Sequence, residues 1–381
     1  MEEKTSKTIS SSSLRKYKIL HVIPSLVRGG AETILLSIVK GLSGDDSVFE
    51  FRVLTILERG LLAEEFEKAG VTVECIDNPS GAFSTNFIRT YLYIKKYKPD
   101  IVHTHLWMGD RCGLVAAWFA RIPHRITTLH SFEMGLSRKQ LLWNWVCSRL
   151  ASGIIAVSQS VKRLWTIKRR FPPKKITVIY NSSGFEVPKN VKAPHVCSPH
   201  PKLLSLGRIS EEKGLIVTIM AVGHLIKEHP TVTFDIYGPS NYGDRYQKEL
   251  LKYIEDNHLE QTVLFKGATN NPMAVYPKYD ILMAMSLWEG FNIAAIEAMS
   301  CGLPVIASDI PVHCEVFSGG ESALLVPSGN VDAVYDAVKK LISDKRLFAL
   351  MSVASKERSK DFSRDSMINT YRDYYSGMFM R

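Results

Sequence analysis

The stretch that decides the fold of this chain is Ser286-Leu-Trp-Glu-Gly-Phe-Asn-Ile-Ala-Ala-Ile-Glu-Ala-Met-Ser-Cys-Gly-Leu-Pro-Val305. It begins where an apolar run ends, and Gly290 loosens the turn before a helical pattern. A strand that passes through a short loop into a helix is the repeating unit of a parallel α/β sheet. The unpaired N–H groups at such a helix start form an anion site suited to a diphosphate. The amides that open this helix are those of Phe291, Asn292 and Ile293.

Two carboxylates flank this predicted anion site. Glu289 lies just before the helix and Glu297 about two turns along it, so the pair can address different ends of one extended ligand. Carboxylates accept hydrogen bonds from sugar hydroxyl groups. The alternative is that both residues only cap the helix or favour its dipole.

A second strand, loop and helix pattern, Gly207-Arg-Ile-Ser-Glu-Glu-Lys-Gly214, occurs about 80 residues earlier. Arg208 offers a planar fork and Lys213 a point charge, the two types of cation that neutralise a diphosphate leaving group. Because departure of the phosphate develops negative charge in the transition state, fixed cations there lower the barrier. Most pairs with this spacing are surface charges, so the pattern is weak when taken alone.

Short β-branched runs alternate with longer helical patterns in both halves of the chain, which is typical of a parallel sheet wrapped by helices. We expect a flexible tail at residues 1–16, a Rossmann-like domain at 17–181, a proline-rich linker at 182–201, a second Rossmann-like domain at 202–360, and a C-terminal helical segment at 361–381 that can pack back on the first domain. Two doubly wound α/β domains facing each other make a cleft, and ligands bind at the carboxyl ends of the strands in such sheets.

The E-x7-E stretch with its following Gly302-Leu-Pro304-Val, together with the G-R-x4-K-G pattern, resembles the donor site of glycosyltransferase family four, which consists of retaining enzymes of the GT-B fold. The likeness runs through nearly the whole chain from Lys18 onward. It implies that Arg208 and Lys213 hold the diphosphate of a nucleotide-sugar donor. Glu289 would then bind the transferred sugar.

The resemblance also assigns Glu297 to the nucleoside ribose and places two first-half motifs in the cleft. Gly29 and Gly30 belong to a G-G-x-E motif that resembles the family's cleft floor, although a tight turn without a ligand is the alternative. The segment around His130 resembles the one whose histidine lies beside the reacting sugar carbon, so His130 and Glu289 are the predicted catalytic residues. Weaker candidates for the acceptor side are His105, Asp110 and Arg111.

The family works without a metal, and the chain contains no D-x-D triplet that would hold one. We therefore expect no metal and no other cofactor. The resemblance implies retention at the anomeric carbon by front-face attack, in which the departing phosphate accepts the acceptor's proton. One departure concerns the interdomain linker, where members often read V-I-x-N-G-V-D and this chain reads Val178-Ile-Tyr-Asn181-Ser-Ser-Gly184.

The net charge of +10 comes entirely from the first half. Residues 1–190 hold 28 Lys and Arg against 16 Asp and Glu, and no acidic residue occurs between Glu133 and Glu186. Tryptophan and leucine side chains are interleaved with the cations there, at Leu141, Leu142, Trp143, Trp145 and Trp165. Such a surface can bind anionic lipid headgroups, unless the aromatic side chains are core and the cations a solvated face. The chain has no recognised nucleic-acid-binding module, so we expect no nucleic acid partner.

The sequence therefore predicts a glycosyltransferase that moves one sugar from a nucleotide diphosphate sugar to a glycan acceptor. A lipid-linked intermediate of O-antigen, capsule or exopolysaccharide synthesis is the expected acceptor, at the inner face of the plasma membrane. We expect a cytoplasmic protein, since no secretory signal or membrane-spanning run is evident. The alternatives are an epimerase or phosphorylase of the same architecture, and a non-catalytic scaffold.

Overall fold

The structure is a computed structural model that describes residues 15–44, 47–78, 82–132, 135–185, 196–240 and 245–380. Most of the tail predicted at 1–16 and half of the linker predicted at 182–201 lie outside these ranges. The strands of the first half are β1 (Tyr17–Ile23), β2 (Phe49–Thr55), β3 (Thr72–Cys75), β4 (Ile101–His105), β5 (His124–Leu129), β6 (Gly153–Ala156) and β7 (Ile176–Val178). Those of the second half are β8 (Lys202–Leu206), β9 (Thr233–Tyr237), β10 (Val263–Gly267), β11 (Ile281–Ala284), β12 (Val305–Ser308) and β13 (Leu324–Val326).

Helices fill the connections between these strands. In the first half they are α1 (Gly30–Leu42), α2 (Ala63–Lys68), α3 (Phe83–Tyr97), α4 (Leu106–Gly109), α5 (Val115–Phe119), α6 (Arg138–Leu150) and α7 (Gln159–Ile167), and a π-helical turn (Asp110–Leu114) joins α4 to α5. In the second half they are α8 (Leu215–Leu225), α9 (Arg245–Asp256), α10 (Ile293–Ser300), α11 (Pro311–Val316), α12 (Val331–Ser343), α13 (Lys345–Ser359) and α14 (Arg364–Ser376).

The strands form two parallel sheets. Their orders are β3-β2-β1-β4-β5-β6-β7 and β10-β9-β8-β11-β12-β13, which confirms the prediction of two doubly wound Rossmann-like domains. In each sheet the chain reverses the direction in which it adds strands at a central pair, β1 beside β4 and β8 beside β11. Ligands bind in the crevice at such switch points, outside the carboxyl ends of the strands. The motifs that begin at Gly29, Gly207 and Glu289 follow strands of these central pairs, and His130 follows β5, which is next to β4 in the first sheet.

The last helix, α14, packs on the first domain although it follows the second in sequence. Its buried face contributes Met367, Ile368, Tyr371 and Tyr375 to the apolar cluster beneath α1 and the first sheet. A Cβ at Gly41 of α1 would overlap the side chain of Ile368, so the two helices are in close contact. The C-terminal segment therefore bridges the two domains.

The two domains also meet through α7 and α11. The carboxylate of Glu315 accepts hydrogen bonds from the backbone N–H groups of Gln159 and Ser160, at 2.7 and 2.8 Å, and so caps the start of α7 across the interface. The hydroxyl of Ser158 donates to the carbonyl of Gly290 at 3.0 Å. Because both contacts involve groups next to the cleft, the interface helps to set the relative position of the carboxyl ends of the two sheets, where the sequence motifs lie.

One side chain of the predicted basic and aromatic surface lies elsewhere. Trp165 is 2% exposed, packs in the core and donates its indole N–H to the carbonyl of Ser131, so its assignment to the surface is wrong. The helix α7 explains this, because Val161 and Trp165 are four residues apart on its buried face. Among the described residues, no helix is long and apolar enough to span a bilayer.

Candidate active site

The carboxylate of Glu289 and the ammonium group of Lys213 form an ion pair at the carboxyl end of the second sheet. Glu289 follows β11 and Lys213 ends the loop after β8, so the two central strands bring together residues that are 76 positions apart. The hydroxyl of Ser286 donates to the same carboxylate oxygen of Glu289 at 3.1 Å. Both charged side chains are less than one-fifth exposed, and the surrounding protein therefore strengthens their attraction.

The loop that carries Lys213 has a backbone that requires glycine. Gly214 has φ +58°, and a Cβ there would overlap the carbonyl of Met285 on the neighbouring strand connection. This close approach holds the loop against the end of β11. Arg208 lies at the outer side of the loop, where its guanidinium group pairs with Glu212 at 2.6 Å and remains half exposed. The two cations that the sequence predicts to bind a diphosphate therefore differ in exposure, because Lys213 is largely buried and Arg208 lies at the surface.

The start of α10 lies beside Lys213, as the sequence predicts. Asn292 is the N-cap residue, and its side chain accepts a hydrogen bond from the N–H of Ala295 at 3.2 Å. The ring of Phe291 is buried in the core, so only its backbone can contact a ligand. The first N–H groups of a helix have no acceptor within the helix. A cavity adjoins these groups, lined by residues that include Lys213, Ser286, Asn292 and Ala294. Together these groups can bind an anion.

Glu297 lies in the second half of α10 and is 3% exposed. Its two carboxylate oxygens accept hydrogen bonds from the hydroxyl of Tyr276 at 2.8 Å and from the N–H of Gly184 at 3.2 Å. Burial raises the pKa of this carboxyl group to about 7. Gly184 is the displaced glycine of the interdomain linker, and a Cβ there would overlap the side chain of Thr33 on α1. Glu297 therefore ties the linker to α10, and its predicted contact with a ribose stays a prediction.

Replacement of Glu297 by glutamine is expected to change how stability depends on pH. Because the pKa rises from 4.5 to about 7 on folding, the folded protein keeps a proton that the unfolded chain has released between these values. The group therefore stabilises least above pH 7, and the free energy of unfolding of the wild type falls by about 3 kcal/mol relative to Glu297→Gln as the pH rises from 4.5 to 8. Urea unfolding at several pH values measures this difference. The exposed Glu260→Gln variant is the control, and a difference that does not change with pH contradicts the prediction.

The G-G-x-E motif of the first domain faces α10 across the cleft. Gly29 is the N-cap residue of α1, and a Cβ at Gly30 would lie 3.2 Å from the side chain of Ile293 at the start of α10. Burial raises the pKa of the Glu32 carboxyl group to about 7, and the positive charge of Arg208 opposes this rise. The switch points of the two domains are thus in contact, with Arg208 of the second domain near the carboxylate of Glu32 in the first.

His130 follows β5 and meets the second domain directly. A Cβ at Gly290 would overlap the backbone carbonyl of His130, so this glycine permits the two chains to touch. His130 is among the residues that line a cavity next to α6, and its ring is hydrogen bonded through Nε2 to Nδ1 of His105 at 3.1 Å. His105 itself is 2% exposed, and its predicted role toward an acceptor stays a prediction.

The other two acceptor-side candidates are held by first-domain side chains. The carboxylate of Asp110 accepts hydrogen bonds from the hydroxyl groups of Thr104 on β4 and Thr127 on β5. The guanidinium group of Arg111 lies over three aromatic rings, those of Phe83, Trp107 and Trp143. Asp110 therefore links two strands and Arg111 orders an aromatic cluster, while their roles toward an acceptor stay predictions.

Sequence patterns do not mark some residues of the site. Tyr276, which bonds Glu297, and Glu315, which caps α7, belong to no recognisable motif. His21 is the partner of His105, with its Nδ1 2.9 Å from Nε2 of His105. No sequence pattern marks His21, because its pairing in register with His103, which together with alternation places His105 on the same face, depends on the assembled sheet.

These features define the class of the protein. Two Rossmann-like domains meet at their switch points, and one carries a cation and carboxylate pair beside a helix start, as in a glycosyltransferase of the GT-B fold. The family described as "Glycosyltransferase Family 4" matches residues 28–182, and "Glycosyl transferases group 1" matches residues 189–359. The chain belongs to glycosyltransferase family four.

Curated relatives are similar over most of their length. The chain is 25% identical to the UDP-Gal:alpha-D-GlcNAc-diphosphoundecaprenol alpha-1,3-galactosyltransferase of Escherichia coli, over 77% of this chain and 79% of the relative. It is 27% identical to the capsular polysaccharide biosynthesis glycosyltransferase CapH of Staphylococcus aureus, over 86% of this chain and 92% of the relative. Among solved structures, Anabaena Alr3699/HepE in complex with UDP and glucose has a TM-score of 0.81 at 22% identity, covering 94% of this chain and 99% of that one, which supports the fold.

Proposed function

We propose that this glycosyltransferase moves a single sugar from a nucleoside diphosphate sugar to a lipid-linked glycan, in the synthesis of a surface polysaccharide. The observation that carries the proposal is the ion pair of Lys213 and Glu289 beside the start of α10. Lys213 and the helix N–H groups can bind the diphosphate, and Glu289 can accept hydrogen bonds from sugar hydroxyl groups in the same place. The named substrates of the E. coli relative support a lipid-linked acceptor.

The proposed reaction keeps the configuration of the sugar. The bond from the anomeric carbon to the leaving phosphate oxygen breaks, and a bond to the acceptor hydroxyl oxygen forms on the same face. The phosphate oxygen takes the proton of that hydroxyl group. Arg208, Lys213 and the start of α10 stabilise the negative charge that develops on the diphosphate, and His130 contacts the sugar from the first domain. No metal or other cofactor takes part in this proposal.

A transfer assay tests the proposal. The enzyme is incubated with UDP-linked hexoses, each with and without a polyprenyl diphosphate-linked N-acetylglucosamine acceptor, and the products are analysed by mass spectrometry and NMR. We expect one sugar to be added with the donor's anomeric configuration. Inversion would refute the mechanism. Donor turnover without acceptor would indicate an epimerase, and dependence on inorganic phosphate with a pyridoxal absorbance band would indicate a phosphorylase.

We further propose that the first domain binds an anionic membrane through a surface that we call the aromatic face. It comprises exposed apolar side chains of three neighbouring helices, Ile88 and Leu92 on α3, Trp118 and Phe119 on α5, and Leu142 and Trp145 on α6. Ring contacts join the helices, between Phe87 and Phe119 at 5.8 Å and between Phe83 and Trp143 at 5.4 Å.

The charges around the aromatic face favour anionic lipid over other partners. The helices α3, α5 and α6 contain no Asp or Glu. Exposed cations lie on or next to them, at Lys95, Lys96, Arg121, Arg138, Lys139 and Arg149. Apolar side chains enter the headgroup region while cations attract its negative charge. A lipid-linked acceptor would then reach the cleft from the bilayer surface.

Vesicle flotation tests the membrane proposal. We expect the wild type to float with phosphatidylglycerol-containing vesicles and the double variant Leu142→Ser/Trp145→Ser to lose more than about tenfold in affinity, since each side chain contributes about 1.5–3 kcal/mol when fully buried in an apolar phase. Leu251→Ser, an exposed leucine on α9 of the second domain, is the matched control. Equal flotation of the wild type and the double variant would exclude the aromatic face, as would a wild type that does not bind.

A further inference from the structure

Three histidine rings form a hydrogen-bonded row inside the first domain. His130 Nε2 lies 3.1 Å from His105 Nδ1, and His105 Nε2 lies 2.9 Å from His21 Nδ1. The three residues come from β1, β4 and the end of β5, which are adjacent in the sheet. The row therefore runs from the interior of the domain to His130, the residue whose backbone meets Gly290 of the second domain.

All three rings are neutral at physiological pH. Burial lowers the pKa of His21 to about 3 and that of His130 to about 4, and it holds the pKa of His105 well below its ordinary value. A neutral imidazole carries one N–H and one lone pair. Each hydrogen bond in the row joins an N–H of one ring to a lone pair of the next, so the tautomer of any ring fixes the tautomers of the other two. Only two arrangements are possible, and they differ in the direction of donation.

The two ends of the row decide between these arrangements. Both terminal nitrogens, Nε2 of His21 and Nδ1 of His130, are buried without a hydrogen-bond partner among the described residues. One end must carry an N–H and the other a lone pair. His21 is fully buried and stacks on Phe51, whereas His130 is half-buried and is among the residues that line a cavity. A buried N–H without an acceptor is the costlier defect, so the N–H belongs at the His130 end of the row, which lies next to a cavity.

We propose that His21 and His105 are positioning residues that set the tautomer of His130, so that its Nδ1 presents an N–H to an oxygen of the bound sugar. In this arrangement His21 Nδ1 donates to His105 Nε2, and His105 Nδ1 donates to His130 Nε2. His130 is then a fixed donor that selects an oxygen acceptor in the ligand. The role of this contact in catalysis rests on the function proposed above. The direction in which the three histidines donate their hydrogen bonds does not depend on that function.

A metal ion is the competing explanation for these histidines. One nitrogen from each of His21, His103 and His105 lies within 4.8 Å of the others. Both nitrogens of His103, however, already bond protein hydroxyl groups, Tyr375 and Thr128, each at 2.7 Å. Nδ1 of His21 and Nε2 of His105 are hydrogen bonded to each other. A metal would have to break at least two of these hydrogen bonds, one at His103 and one at His105, so the row of hydrogen bonds explains the cluster better.

The test is the tautomer of His130, measured by long-range ¹H–¹⁵N correlation on the full chain with ring-labelled histidine and no substrate. Protonated and unprotonated ring nitrogens have well separated ¹⁵N shifts, and His130→Gln identifies the signal. We expect the proton on Nδ1 in the wild type. The variant His21→Asn keeps an N–H near the position of Nδ1 and should keep this tautomer, whereas His21→Leu should give a mixture. The control is His103→Phe, equally buried but outside the row, which should leave the tautomer unchanged.

Transfer activity provides a second readout. We expect kcat/KM to fall about 3- to 10-fold in His21→Leu, the effect of one neutral hydrogen bond, and to recover in His21→Asn. A wild-type proton on Nε2, an unchanged tautomer in His21→Leu, or shifts of the His21 and His105 signals on titration with ZnCl2 would overturn the proposal. The wild-type spectrum alone shows the direction of hydrogen-bond donation along the row, even if His21→Leu does not fold. If the spectrum agrees but His130→Gln retains full activity, the row stands and the proposed contact with the sugar fails.

Discussion

Replacing Glu289 with glutamine is expected to lower kcat/KM for sugar transfer by about 10³-fold without unfolding the protein. The carboxylate is hydrogen bonded to Lys213 and Ser286, and in the proposed function it also accepts two hydroxyl groups of the transferred sugar. Hydrogen bonds to a charged group contribute about 1.5–3 kcal/mol each, so two of them account for about 3–6 kcal/mol, or roughly 10²- to 10⁴-fold in rate. The amide keeps the shape of the side chain and loses its charge, which isolates the electrostatic contribution.

Steady-state kinetics with a UDP-sugar and thermal unfolding of the same sample measure this effect. Glu228→Gln is the matched control, because it removes the same charge from an ion pair of the second domain, with Lys339, at the exposed surface. We expect that control to be as active as the wild type. A Glu289→Gln enzyme within a few-fold of wild-type activity would show that the sugar does not bind at Glu289.

The second large effect is expected for Gly290→Ala. An added Cβ would overlap the backbone carbonyl of His130, and a backbone atom cannot move aside as a flexible side chain can. Because His130 and Gly290 belong to different domains, the strain is relieved when the cleft opens. Misplacement of reacting groups by about 1 Å can cost 10²-fold in rate, so we expect a loss of about that size in kcat/KM.

Small-angle scattering and kinetics on the same variant test this account. Gly223→Ala, in which the new Cβ would meet only the side chain of Leu259 at 3.2 Å, is the control for the loss of a glycine. We expect Gly290→Ala to give a larger radius of gyration than the wild type and Gly223→Ala to match it. Full activity of Gly290→Ala would mean that the contact between the domains at His130 is not needed for transfer.

Much of the fold could be predicted because local patterns decide it. The apolar pattern predicts strands at 101–105, 233–237, 263–267 and 305–308 and a helix at 293–300, and these are the bounds of β4, β9, β10, β12 and α10. The motifs at Gly207 and Gly290 follow strands for the same reason. The misplaced Trp165 shows the limit, because a basic and aromatic composition does not tell which face of a helix is buried.

The sequence predicts single residues of the candidate site but not the contacts between them. The sequence indicates Lys213 and Glu289 separately, but their ion pair depends on β8 and β11 being neighbours in the sheet. The contact of Gly290 with His130 depends on how two domains meet, which leaves no pattern along the chain. The histidine row likewise joins three strands, and only the assembled sheet shows that His21 and His105 stand behind His130.

The central claim is that the second domain holds a nucleoside diphosphate at Lys213 and the start of α10. Calorimetric titration of UDP into the wild type, Lys213→Ala and the surface control Lys339→Ala tests it most directly. We predict that Lys213→Ala weakens binding by about 10- to 100-fold, the effect of one charge-assisted hydrogen bond, and that Lys339→Ala binds as the wild type does. Equal affinity of Lys213→Ala and the wild type for UDP would contradict the account.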